Sequence, residues 1–242
     1  MKLTQIDTES SHILYDADTL GQVDDAFFEP GHWEETQQLL GSAPGRGTTV
    51  FVQYGERVFA LRHYCRGGVP AKISRDRYIW QGLEKSRPWR EWHLQVELYR
   101  RGLPVPRPIA VRLVRHGLTY SADIVTEAID ARPLAEWLCE KRLPAAQLEQ
   151  LGAWLRRFHL EELFHADLNA RNILLDEAGK VYLIDFDRSE LRRGDEGWRS
   201  ANMERLKRSL MKFRRIEKNF AFDDEDWKAV LRGYKNAAQG TL

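Results

Sequence analysis

Hydrophobic and polar positions follow different patterns in the two halves of the chain. In the first half, Thr49-Val-Phe-Val-Gln-Tyr54 is rich in β-branched and aromatic residues and predicts a strand. Gly55-Glu56 offers a hairpin turn, and Arg57–Tyr64 predicts the return strand, ended by Gly67-Gly68. Ile109–Val114 and Thr119–Thr126 predict two more strands. Between these pairs, residues 76–101 predict a helix, with Trp80, Trp89, Trp92, Leu94, Val96 and Leu98 as apolar positions. Pro88 fits the first turn of its second half, where a missing N–H does no harm, and Gly102 stops it. Leu103-Pro-Val-Pro-Arg-Pro108 is held extended, because each proline restricts the residue before it. Residues 1–40 show no clean period. Thr19–Leu40 predicts partial helix, with Phe27, Phe28, Trp33 and Leu39 as core candidates, and Gly41–Thr48 reads as a turn-rich loop.

The second half changes character. Leu134–Arg142, Ala145–His159, 200–220 and 224–238 have helical patterns. Only Asn172–Asp176 and Lys180–Asp185 read as strands, paired around Ala178-Gly179. The expected class is therefore α+β: an antiparallel sheet with one main helix over residues 1–127, then a mostly helical part over 128–242. The expected organisation is a single two-lobed domain with a cleft between the lobes and a join near Glu127–Asp130.

Composition narrows the classes. Hydrophobic residues make up 43% and charged residues 30%, with 8 Trp, 8 Tyr and 10 Phe, which excludes a disordered chain. No apolar run reaches the ~20 residues of a spanning helix, and the first residues lack the apolar stretch of a secretory signal. The two cysteines, Cys65 and Cys139, have no metal-site spacing and make no disulfide framework, so a reducing cytoplasm is the default compartment. Net charge is +1, yet residues 188–218 carry eleven Lys/Arg against five acids, a local excess of six. Any pull on anions must come from such local charge.

The chemistry concentrates in His165-Ala-Asp167-Leu-Asn-Ala-Arg-Asn172 and the strands that follow. A two-residue turn at Ala178-Gly179 sets Asn172 opposite Asp185 at the open end of the hairpin. An amide oxygen and a carboxylate there are hard ligands that suit Mg²⁺ shared with phosphate oxygens. Asp167 lies on the loop leading into the same end, where a second carboxylate can orient a hydroxyl and accept its proton.

The segment resembles the catalytic and metal-binding loops of the protein-kinase-like superfamily, with the H-x-D-x-x-x-x-N pattern present as His165, Asp167 and Asn172. The resemblance implies ATP as phosphoryl donor, Asp167 as catalytic base, and Asn172 and Asp185 as Mg²⁺ ligands. It implies a structural role for His165. It also implies that Gly45 and Gly47 cover phosphates and that Arg62 stands where the ATP-binding Lys is usual, with Lys72 as a rival. Glu91 would be the partner on the next helix, with Glu97 as the alternative. Glu127 and Ile129 would bind adenine through the main chain. Asp187 and Asn169 depart from the protein-kinase pattern, which has Gly and Lys there, and fit the small-molecule and carbohydrate branch better.

Further words narrow the resemblance: Gly45-Arg-Gly-Thr-Thr49, Leu61-Arg-His-Tyr64, Ser74-Arg-Asp-Arg-Tyr78, Arg90-Glu-Trp92, Gly102–Pro108 and Ile184-Asp-Phe-Asp-Arg188 resemble the lipopolysaccharide core kinases. That family implies phosphorylation of the 4-hydroxyl of a 3-deoxy-D-manno-octulosonic acid (Kdo) sugar on a lipid A precursor, at the cytoplasmic face of the bacterial inner membrane. A heptose kinase of the same pathway, another small-molecule phosphotransferase and a catalytically dead kinase-like binding module are the alternatives. On the predicted 200–220 helix, Met203, Leu206, Leu210, Phe213 and Ile216 make an apolar stripe and the remaining surface is basic. Such a helix packs by its apolar side and leaves a basic side for an anionic membrane surface, with the protein held peripherally. No nucleic-acid-binding motif accompanies the basic segment, so no nucleic-acid partner is expected.

Overall fold

The computed structural model describes residues 1–43, 49–65, 76–194 and 197–237. Contacts divide the chain into two compact units: Met1–Arg100 with Pro106–Ile129, and Arg101–Val105 with Asp130–Leu242.

The first unit is built on an antiparallel sheet. Its strands are β1 (Leu3–Asp7), β2 (Ser11–Asp16), β3 (Leu39–Ala43), β4 (Thr49–Tyr54), β5 (Arg57–His63), β6 (Tyr78–Ile79), β7 (Pro108–His116) and β8 (Thr119–Glu127). The spatial order is β1-β2-β7-β8-β5-β4-β3, with β6 beside β8. Alternation along each strand sends side chains to two cores. Phe59 and Leu61 of β5 and Val125 of β8 pack on one face with Phe27, Phe28 and Trp33. Those three come from a 3₁₀ turn, Asp25–Phe28, and the short helix α1, Pro30–Glu35. Val111, Leu113, Ala122 and Ile124 face the other way, against Trp89, Trp92 and Val96 of helix α2, Arg87–Arg100.

The β4–β5 hairpin turns at Gly55-Glu56 as expected, with Gly55 at φ +59°. Three expectations need correction. Residues 1–16 form the β1–β2 hairpin. Strand β1 lies at the sheet edge half-exposed, while β2 is almost wholly buried, so neither shows the alternation that marks a strand. Gly41-Ser-Ala43 belongs to β3, paired with β4, and is not loop. The helix expected over 76–101 begins only at Arg87, because Gly82 takes φ +102° and Ser86 is extended. Residues 78–79 are strand and 83–85 a 3₁₀ turn. Pro88 sits at the second helical position, where no N–H is needed.

The second unit is mostly helical. It contains β9 (Arg132–Pro133), α3 (Leu134–Glu140), α4 (Ala145–Leu160), β10 (Leu163–Phe164), β11 (Ile173–Leu175), β12 (Val181–Leu183), β13 (Glu190–Leu191), α5 (Gly197–Ile216) and α6 (Asp224–Asn236). On α5, Met203, Leu206 and Leu210 are buried and Phe213 stacks on Phe220 with ring centroids 5.5 Å apart. Ile216, expected to continue that stripe, is 59% exposed.

Buried polar groups tie α5 to α4 and α6. His159 on α4 meets the Tyr234 hydroxyl at 2.6 Å through Nδ1 and Asn202 Oδ1 at 3.3 Å through Nε2. Asn202 Nδ2 donates to the His165 carbonyl at 2.7 Å, which turns its oxygen toward His159. His159 Nε2 is therefore the donor and Nδ1 the acceptor. Burial pushes its pKa down to about 4. The folded protein thus resists protonation that the unfolded chain, near pKa 6.5, accepts. Stability from this group is complete above about pH 6.5 and is lost as pH falls toward 4, by roughly 3 kcal/mol at the limit. Urea melts at about pH 7 and about pH 4.5 should show the loss, and His159→Gln should make it smaller. An unchanged pH slope in that variant would remove His159 as its cause.

Candidate active site

The loop between β10 and β11 carries His165 to Asn172. His165 is buried, and its Nε2–H donates to the Ile184 carbonyl at 3.0 Å. Its Nδ1 accepts from the Asp167 N–H at 3.3 Å. Burial holds its pKa below the ordinary histidine range, so the ring is a neutral brace between the loop and the hairpin. Asn169, the residue that departs from the protein-kinase pattern, organises the turn. Its Nδ2 donates to the Asp167 carbonyl at 3.0 Å, and its Oδ1 accepts from the N–H groups of Arg171 at 2.8 Å and Asn172 at 3.2 Å. Asn172 Nδ2 also donates to the Asp167 carbonyl, at 2.9 Å. Two side-chain amides thus fix the Asp167 main chain. Its carboxylate is 49% exposed, and Oδ1 lies 3.4 Å from Arg205 Nη1 of α5.

The hairpin differs from expectation by one position. Ile173 pairs with Leu183 and Leu175 with Val181. The connection is therefore not the expected two-residue turn but closes through Glu177-Ala178-Gly179. Gly179 takes φ +81° and donates its N–H to the Asp176 carbonyl at 2.9 Å, while Asp176 Oδ1 accepts from the Lys180 N–H at 2.8 Å. A left-handed third residue is what such a loop requires, and glycine supplies it without strain. Asn172 consequently lies level with Ile184, whose N–H its carbonyl accepts at 3.0 Å, and Asp185 stands one residue further along. Asp185 is in the left-handed region at φ +64°, an uncommon conformation for a non-glycine residue. Both Asp185 and Asp167 lie near enough to His165 to act on its charge. The expected register of Asn172 opposite Asp185 is thus corrected, yet Asp167 and Asn172 are joined through the Asp167 carbonyl, and Asp185 follows Ile184, whose carbonyl His165 holds.

The residues fit a magnesium site. The Asn172 amide is anchored by its nitrogen, which leaves Oδ1 without a partner among the described residues. With the Asp185 carboxylate close by in sequence and register, the donor set is two hard oxygens, a number Mg²⁺ commonly takes from protein when phosphates and water complete its shell. Among the described residues no group of three or more His, Cys, Asp or Glu has metal-holding geometry, so a site made wholly by protein carboxylates is not present there.

In the first unit, Arg62 Nη2 lies 2.5 Å from Glu91 Oε1. Glu91 is 2% exposed at its side chain, and the Arg62 guanidinium sits 4.9 Å from the centre of the Tyr64 ring. Glu97, the alternative, is half-exposed on the same helix. At the end of β8, the Glu127 N–H donates to the Arg107 carbonyl at 2.9 Å and the Ala128 N–H to the Val58 carbonyl at 2.8 Å. The Ile129 N–H has no acceptor among the described residues, so of the expected adenine-binding donors it is the one left open. Gly45, Gly47, Gly67, Gly68 and Lys72 lie outside the described residues.

Three residues of α5 escaped sequence reasoning. Asn202 holds the His165 carbonyl, Arg205 reaches Asp167, and Ser209 Oγ accepts from the Ala170 N–H at 3.3 Å. Each contact joins segments far apart in the chain, and no local pattern carries it.

The sheet with its one main helix, the helical second unit and the Asp-bearing loop define a phosphotransferase of the kinase-like class, with an alcohol as acceptor. Residues 31–234 match the lipopolysaccharide kinase (Kdo/WaaP) family. The chain is 39% identical over 227 residues to a 3-deoxy-D-manno-octulosonic acid kinase of Vibrio vulnificus strain CMCP6, with 93% of this chain and 95% of that protein covered. It is 38% identical over 240 residues to the protein of the same name from Haemophilus influenzae strain 86-028NP, covering 95% and 98%. A third such kinase, from Xylella fastidiosa strain M23, is 41% identical over 222 residues, covering 92% and 88%. The chain belongs to the lipopolysaccharide kinase (Kdo/WaaP) family, and as a kinase of that family it uses ATP.

Proposed function

We propose that the chain transfers the γ-phosphoryl group of ATP to the 4-hydroxyl of a Kdo sugar on a lipid A precursor. The observation that carries the chemistry is the bracing of the loop that bears Asp167 and Asn172 against the hairpin strand that leads into Asp185, through His165 and the Asp167 carbonyl. The sugar is the one in the relatives' name, 3-deoxy-D-manno-octulosonic acid kinase, while the 4-hydroxyl and the lipid A precursor are what the family resemblance implies. In this reading Asn172 Oδ1 and the Asp185 carboxylate hold Mg²⁺, which when bound offsets the phosphate charge. Asp167 orients the acceptor hydroxyl. A sugar hydroxyl is far too weak an acid to be ionised beforehand by a carboxylate. Asp167 therefore takes the proton as the new oxygen–phosphorus bond forms and the bond to the ADP oxygen breaks. Arg62, held by Glu91, pairs with the nucleotide phosphates, as do Gly45 and Gly47, while Glu127 and Ile129 receive the adenine through main-chain groups.

The same reading places the enzyme peripherally on the cytoplasmic face of the inner membrane. No helix among the described residues is long and apolar enough to cross a membrane. Helix α5 buries Met203, Leu206 and Leu210 and exposes Arg205, Arg208, Arg214 and Arg215, a side suited to anionic headgroups.

One assay tests both parts. Labelled ATP is offered with a Kdo–lipid A precursor, a heptosylated core and an aminoglycoside, in anionic vesicles at low and high salt. Label should appear on Kdo and depend on Mg²⁺. The protein should sediment with the vesicles at low salt and less so at high salt, because exposed charge is screened. Label on heptose alone would overturn the acceptor, and salt-independent sedimentation would overturn the basic side as the docking surface.

A further inference from the structure

We infer that Arg205 is the residue that reads the carboxylate of the acceptor sugar, an inference that rests on the acceptor proposed above. The starting point is its contact with Asp167. Nη1 lies 3.4 Å from Oδ1, with the two side chains 47% and 49% exposed. An ion pair that long and that wet contributes little to stability. Among the described residues Asp167 is the only partner of the Arg205 guanidinium, so most of its N–H donors are open toward solvent beside the catalytic carboxylate.

The position of Arg205 is nonetheless well determined. Helix α5 is laid along the catalytic loop by contacts one turn to either side of it. Asn202, buried at 2% exposure, donates to the His165 carbonyl at 2.7 Å. Ser209 accepts from the Ala170 N–H at 3.3 Å. One turn further on, the Arg171 guanidinium sits 5.1 Å from the centre of the Phe213 ring. Residues 205, 209 and 213 thus meet 167, 170 and 171 in order, as a helix with side chains recurring every three to four residues must if it runs alongside the loop. Arg205 is the member of this row that stands at the reacting end.

The acceptor's chemistry explains why a cation is needed there. A 3-deoxy-2-ulosonic acid carries its carboxylate on C1 and the reacting hydroxyl on C4, so the two groups lie within about 5 Å of each other. When Asp167 holds the 4-hydroxyl, the sugar's carboxylate must therefore come close to the Asp167 carboxylate, and the two repel. Asn169, at the loop position where protein kinases carry a cation, has its amide engaged within the loop. Arg205 supplies the missing charge. Its planar fork keeps one N–H on Asp167 and presents the remaining edge to the sugar's carboxylate, a two-point geometry that Arg offers and Lys does not.

The experiment compares wild type, Arg205→Gln and Arg205→Lys on two acceptors: the Kdo–lipid A precursor, and the same glycolipid with the sugar's carboxyl group converted to the carboxamide. Wild type should lose about 10- to 100-fold in kcat/KM on the carboxamide, the size of a charge-assisted hydrogen-bond set. Arg205→Gln should lose a similar factor on the acid and little more on the carboxamide, so that the discrimination between the two acceptors disappears. Arg205→Lys should recover it only in part. KM for ATP and the melting temperature should stay near wild-type values. Equal losses by Arg205→Gln on both acceptors would overturn the inference and place the guanidinium's action on the phosphoryl group or on Asp167. A fully active Gln variant would overturn it as well. No turnover of either acceptor by wild type would overturn the proposed acceptor itself, a failure distinct from that of Arg205 alone.

Discussion

Asp167→Asn should lower kcat by roughly 10²- to 10⁴-fold, the span that removal of a positioned general base usually covers. The substitution keeps the shape of the side chain and removes its ability to take a proton. The local fold does not depend on the carboxylate. The loop is held through the Asp167 carbonyl, which accepts from Asn169 and Asn172, and through the Asp167 N–H, which donates to His165. The carboxylate itself makes one long, exposed contact, to Arg205. Stability should therefore change by no more than about 0.5 kcal/mol, as for surface substitutions generally. The KM for ATP should also stay close to the wild-type value, because the nucleotide contacts proposed for Arg62 and the metal contacts proposed for Asn172 and Asp185 remain. Steady-state kinetics with a thermal melt on the same preparation separates the effects. A kcat within a few-fold of wild type would show that another group takes the proton, whereas a lowered melting temperature would show that the carboxylate braces the loop.

How much of this was legible in the sequence depends on the range of each interaction. The β4–β5 hairpin, the β7–β8 pair and helices α3 to α6 follow from local pattern, because strand and helix periods repeat within a few residues. The grouping of Asp167, Asn172 and Asp185 was legible from spacing, since only a short hairpin separates them. Their register was not. Whether a loop has two or three residues depends on Asp176 closing onto Lys180 and on Gly179 turning left-handed, and both two- and three-residue loops accept glycine near the end. The β1–β2 hairpin was missed for a different reason. An exposed edge strand beside a strand buried on both faces presents no alternation to detect. The approach of Arg62 to Glu91 joins elements adjacent in the chain, and a strand-end cation followed by an acid on the next helix anticipates it. The docking of α5 on the catalytic loop has no such signal. Its basic residues read as one undifferentiated charged side, and only the fold distinguishes Arg205, which reaches a carboxylate, from Arg208 one turn on, which has no ion pair among the described residues.

Gly233→Ala should destabilise the second unit strongly, and the reason is the crossing of α4 and α6. A Cβ at Gly233 would stand 1.8 Å from the Glu149 carbonyl oxygen, and one at Gly152 would stand 1.9 Å from the Val230 carbonyl oxygen. Each clash is with the backbone of the facing helix, so no side-chain rotation relieves it and the helices must separate. Two effects oppose each other. Alanine in place of a helical glycine is worth up to about 1 kcal/mol through propensity. Overpacking a close contact costs about 1–3 kcal/mol even when side chains can yield, and backbone yields less. The clash is with backbone and sits at or beyond the upper end of that range, so after the propensity gain a net loss of about 2 kcal/mol is expected for either substitution. Gly31 of α1 provides the contrast. A Cβ there would meet no atom within 4 Å, and its backbone angle is ordinary, so Gly31→Ala should be neutral or mildly stabilising. The consequence extends to the site. Tyr234, one residue beyond Gly233, holds His159, which meets Asn202, which holds His165 beside Asp167. Separating α6 from α4 pulls at the far end of that chain, so Gly233→Ala should lose activity at temperatures below its own unfolding transition. Denaturant melts of the three variants, with activity followed across the same temperatures, test the crossing. A Gly233→Ala protein as stable as Gly31→Ala would mean that the two helices do not approach as closely as described.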